Sequence, residues 1–96
     1  MAAPNPIAVT FAIRGPIARA DLPGLRDRIC PLLAAGGPVA ICDVQDVAVD
    51  AVTVDALAQL QLAARRHGCQ VRLRGASREL RDLLAFMGLA DVLPDT

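Results

Sequence analysis

Apolar and polar positions along the chain follow two periods, and each change of period marks an element. Ile7, Val9, Phe11 and Ile13 recur at every second position, with smaller or polar residues between them. This predicts a strand with one well-buried face, ended by Gly15-Pro16. Leu22, Leu25, Ile29, Leu32 and Leu33 then recur at helical spacing. Asp21 reads as the N-cap of that helix, and Pro23 sits in its first turn, where a missing N–H does no harm. Pro31 inside the pattern is expected to kink or weaken the helix, and the glycines of 34–38 stop it.

The short apolar run 39–42, ending at Asp43, predicts a second strand. It does not alternate, which suits coverage on both faces. Residues 46–49 read as a turn or a brief extended segment. From 50 to 67 the period is helical again, with Leu57, Leu60 and Ala64 on one stripe widened by Val54, Ala56 and Ala63. Arg65, Arg66 and His67 suit the negative end of its dipole, and Gly68 caps it. Residues 69–74 alternate, Val71 and Leu73 against Gln70, Arg72 and Arg74, as a strand at a sheet edge would. Ser77 caps a third helix with the stripe Leu80, Leu83, Leu84 and Met87, ended by Gly88. The apolar tail 89–93 is expected to tuck against the body. The order β-α-β-α-β-α predicts an α/β layer fold, a mostly parallel sheet with packed helices. The domain is placed at 7–96, behind a loose, proline-containing lead-in at 1–6.

Composition narrows the function. Acidic and basic residues number ten each, every base is an arginine, and no basic run occurs, so nucleic-acid binding is not suggested. No apolar run reaches membrane-spanning length, and the first residues do not read as a signal peptide. A cytoplasmic protein without a membrane partner is the expectation. Cys30, Cys42 and Cys69 lack ligand spacing and read as reduced, partly buried small hydrophobes.

Candidate chemistry is sparse. His67, the only histidine, reads as a surface residue beside two arginines and not as a base. Asp43, Asp46, Asp50 and Asp55 are imaginable as a Mg²⁺ site. They read more simply as a strand end, a helix cap and solvated carboxylates. Gly36-Gly37 precedes a strand, so it cannot be a phosphate loop. No nucleophile lies beside a base, so neither catalysis nor a cofactor is expected. Thr53, in the first turn of the second helix, reads first as a plain first-turn residue and second as a phosphoacceptor.

Taken in order and spacing, four stretches resemble the STAS family of sulphate-transporter and anti-sigma-factor-antagonist domains, over about 13–93. Ile13-Arg-Gly-Pro-Ile17 is similar to the family's strand-ending Gly-Glu-Leu/Ile-Asp. Ile41-Cys-Asp-Val44 followed by Val49-Asp50 resembles the strand and loop leading to Asp-Ser-Ser-Gly. Residues 57–73 resemble the helix and strand that follow, and 80–93, with Met87-Gly-Leu-Ala-Asp-Val-Leu93, the C-terminal helix and its Gly-Leu ending.

The resemblance implies a non-catalytic anti-sigma-factor antagonist in transcription regulation. Its partner would be an anti-sigma factor of the serine-kinase type, released when a serine at the start of the second helix is phosphorylated. A dianion set into a fitted interface breaks it by desolvation and repulsion. The docking residues would be Asp50, Ala51, Val52, Thr53 and Asp55, with Val54 adding apolar character. Here Asp50-Ala51-Val52-Thr53 stands for Asp-Ser-Ser-Gly, so the phosphoacceptor position falls on Val52. Pro16 and Ala18 stand where the family has Glu and Asp. The usual phosphorylation switch is therefore not expected. Alternatives from the same resemblance are a small-ligand or nucleotide sensor and a subunit of a complex of several STAS proteins. A homodimer, paired through the alternating third strand or the open ends of the sheet, is a further expectation.

Overall fold

The computed structural model describes residues 8–35 and 37–95; the lead-in expected at 1–6 lies outside them. Strand β1, Ala8–Gly15, is followed by a 3-10 turn at Arg19–Asp21 and helix α1, Leu22–Ala35. Then come β2, Val39–Val47; α2, Ala51–Arg66; β3, Gln70–Arg74; and α3, Arg78–Phe86. The strands lie in the order β1-β2-β3, all parallel. This is the expected α/β layer.

Alternation explains the layering. Phe11 and Ile13 of β1, Ala40, Cys42 and Val44 of β2, and Val71 and Leu73 of β3 are all buried in one core with the helices. The opposite face carries Thr10, Ala12 and Arg14, then Val39, Ile41 and Asp43, then Gln70, Arg72 and Arg74, all exposed or half-buried. Two expectations about β2 are corrected here. It does not end at Asp43 but runs to Val47, with Asp46 and Val47 still paired to Arg14 and Gly15 past a register shift that sets Val44 and Gln45 of β2 against Ile13 of β1. It is also covered on one face only, because the three helices share that face. Val39 and Ile41 are apolar residues on the open side, and they disguise the alternation.

The helices differ from expectation at single positions. α1 runs unbroken through Pro31, whose ring removes one backbone donor without ending the helix. Asp21 does not cap α1. It closes the preceding turn, its carboxylate accepting the Ala18 N–H at 3.1 Å. Leu32 and Met87, assigned to apolar stripes, are 39% and 43% exposed. Met87 is the C-cap of α3, already outside its packed turns.

β3 lies at the end of the sheet, but its outer edge is occupied. The Leu73 N–H donates to the Pro94 carbonyl at 2.9 Å, and Leu73 bridges to Asp95 as in a parallel pair. The tail does tuck in, with Leu93 buried. Between tail and helix sits Gln61, a residue the apolar pattern passes over. It is buried, its amide nitrogen donates to the carbonyls of Val71 and Val92, and its oxygen accepts the Val71 N–H. A side-chain amide thus takes the place of a neighbouring strand for one residue of β3. Dimerisation through β3, one expected route, would have to displace both the tail and Gln61.

Candidate partner-docking site

Three elements converge where α2 begins. β1 ends at Gly15, whose φ of +67° lets the chain turn out of the sheet. The Gly15 carbonyl accepts the Ala48 N–H at 3.2 Å, holding the end of β1 against the segment that leaves β2. That segment leads to Asp50, an extended residue whose carboxylate accepts the Thr53 N–H at 2.8 Å and so starts α2.

The loop after β1 is then drawn across this start. Arg19 of the 3-10 turn reaches Asp55 at 3.1 Å, and Gln59 donates to the same carboxylate oxygen at 3.3 Å. The ion pair is exposed, so it contributes roughly 0–1 kcal/mol. Its consequence is positional: the loop 16–21 and the first turns of α2 form one surface. Pattern reading could not find it, because the partners are 36 residues apart and no local spacing links them.

Helical rotation sorts the candidate residues. Ala51 is exposed, and Asp50, Val52 and Asp55 are half-buried, all on this surface. Thr53 and Val54 point the other way and are both 0% exposed. Val54 packs in the core and gives no apolar character to the outside, contrary to expectation. The Thr53 hydroxyl is buried without a hydrogen-bond partner. A kinase cannot reach it while α2 keeps its first turn. Val49, 42% exposed, joins the surface unforeseen, whereas Pro16 and Ala18, both exposed, are the two positions where the resemblance places Glu and Asp. The result is a patch with small apolar residues at its centre and Arg19, Asp50 and Asp55 around it.

The other chemical candidates lie apart. Asp43 lies mid-strand, accepting the Gln45 N–H at 3.0 Å and facing Arg74 at 3.6 Å. With Asp50 used as a cap and Asp55 paired to Arg19, three of the four aspartates have their own partners. Among the described residues no three His, Cys, Asp or Glu side chains come together as a metal would need. His67 is the exposed C-cap of α2. The three cysteines are free thiols, Cys42 and Cys69 buried and Cys30 half-buried. Burial first, and the Asp43 carboxylate second, push the Cys42 thiol up to about 12. No described helix is long and apolar enough to cross a membrane.

Residues 2–94 match the protein family described as Mlab, STAS domain. No curated protein matches the chain by sequence. Among solved structures, the anti-sigma factor antagonist SpoIIAA in its unphosphorylated form is similar at a TM-score of 0.70 and 15% identity. That match covers 99% of this chain and 84% of the other. The SulP transporter STAS domain from Vibrio cholerae is similar at 0.72 and 19% identity, covering 97% and 72%. At these identities the likeness is one of fold.

Proposed function

The chain belongs to the STAS domain family, and from that premise we propose that it is a non-catalytic docking domain of the anti-sigma-factor-antagonist kind. It acts in the cytoplasm and is not switched by phosphorylation at the start of α2. The partner is an anti-sigma factor of the serine-kinase type or another STAS protein. It is held by Asp50, Ala51, Val52 and Asp55, with Arg19 and Val49 completing the patch.

One observation carries the reading. At the exposed helix start the phosphoacceptor position is a valine, and the one neighbouring hydroxyl, that of Thr53, faces the core. A surface that keeps its apolar centre and lacks an accessible hydroxyl suits constitutive binding. The similarity in fold to SpoIIAA supports the kind of partner.

The experiment pairs the protein with serine-kinase anti-sigma factors and STAS proteins from its own genome, measured by calorimetry with and without ATP. Binding is expected to be independent of ATP, with no phosphate in 50–55 by intact mass. Val52→Asp is expected to weaken binding by about tenfold or more, since it sets a charge in a fitted apolar contact, while stability changes little. A phosphate found in 50–55, or full affinity in the Val52→Asp variant, would overturn the reading.

A further inference from the structure

The described residues leave one strand edge of the sheet unpaired. β1 pairs with β2 on one side and with nothing described on the other. Along that free edge a groove runs between β1 and α1, in two lobes of about 480 and 500 Å³. Phe11 and Leu32 wall the first lobe, Ile17 and Leu25 the second, and Arg14 and Arg28 line both. Among the described residues neither arginine is in an ion pair. The one carboxylate of the groove, Asp21, is held by the Ala18 N–H.

We propose that the free edge of β1 takes an extended segment of a partner protein as an added strand. A carboxylate side chain of that segment sits between Arg14 and Arg28, and apolar side chains two residues to either side fill the two lobes. Strand addition satisfies the free backbone groups of an edge, and alternate side chains read the groove beside it. The shared pair of arginines lies where the two lobes meet, so apolar, acidic and apolar residues at alternate positions match its order. Charge selects against the other occupants. A second copy of the chain would bring another Arg14 and Arg28 to the same place. Residues 1–7 contain no acid, and Pro4 and Pro6 have no N–H to give to an edge.

The test uses the full chain and a fluorescent heptapeptide in which threonine alternates with valine, glutamate and valine. Saturable binding by anisotropy is expected, with slowed hydrogen exchange at the β1 amides that do not face β2. Glutamine in place of the peptide's glutamate, or the double variant Arg14→Gln, Arg28→Gln, is expected to weaken binding about tenfold. Both arginines are exposed, so the variant keeps its fold. Val52→Asp is expected to leave peptide affinity unchanged, which separates this site from the docking patch at α2. The proposal is overturned by the absence of saturation or by equal affinity for the glutamine peptide. It is also overturned by protection that maps away from β1, or by a peptide-free dimer with its β1 amides already protected.

Discussion

At the scale of the residue, the difference between Val52 and Thr53 decides how the start of α2 works. They are neighbours in sequence, yet one side chain reaches the surface and the other is fully buried. A buried hydroxyl without a partner is a cost carried by the folded state. Thr53→Val, which keeps shape and branching, is expected to leave stability unchanged or raise it by about 1 kcal/mol in urea unfolding. A loss of stability would mean that the hydroxyl has a partner, such as a buried water. Cys42 offers a second residue-scale test. The chain has no tyrosine and no lysine, the side chains that would otherwise lose protons over the same range as Cys42. In the unfolded chain Cys42 ionises from its ordinary value of 9.0, whereas the folded thiol stays protonated up to about 12. The unfolded state therefore loses its proton first. The Cys42 contribution is complete below pH 9 and fades as pH rises towards 12, by about 1.4 kcal/mol per pH unit. Cys42→Ala is expected to remove most of that alkaline slope in urea midpoints; a slope kept intact would place its source elsewhere.

At the scale of the element, Gln61 ties together three pieces through one side chain. α2 carries it, β3 receives it at both backbone atoms of Val71, and the tail offers the Val92 carbonyl at 2.6 Å. Substitution by leucine keeps the volume but leaves Val71 and Val92 with buried, unpaired groups. Gln61→Leu is expected to cost about 3 kcal/mol in urea unfolding, more than a leucine gained in a core returns. An unchanged midpoint would show that the edge of β3 does not need the amide. The apolar stripe of α2 is visible in its sequence, whereas Gln61 is not: a glutamine inside a helical pattern reads as solvated until its partners from β3 and the tail are known. The pairing of Arg19 with Asp55 was hidden in the same way.

At the scale of the whole molecule, the sheet has two ends with different fates. The β3 end is closed by the tail, through Leu73 with Pro94 and the burial of Leu93; the β1 end lies open among the described residues. Removal of 90–96 takes away that cover. The truncated chain is expected to lose at least about 3 kcal/mol, from the burial of Leu93 and the orphaned groups on β3. It is also expected to associate through the uncovered edge, since an unpaired strand is a template for another chain. Light scattering against the full chain checks this; a monomer of unchanged stability would show that the tail is dispensable.

Read alone, the sequence determined the order of strands and helices, the N-caps at Asp50 and Ser77, the glycine that ends α2 at Gly68, and most of the core. Those features depend on neighbours within about four positions, and the period of apolar residues reports them directly. The tertiary structure alone decided that all three helices share one face of the sheet, leaving Val39 and Ile41 on the open side. It alone decided that Thr53 turns inward, that Arg19 crosses to Asp55, and that Gln61 stands in for a strand. Each of these depends on which distant segment occupies the space beside a residue, and local periodicity carries no record of that.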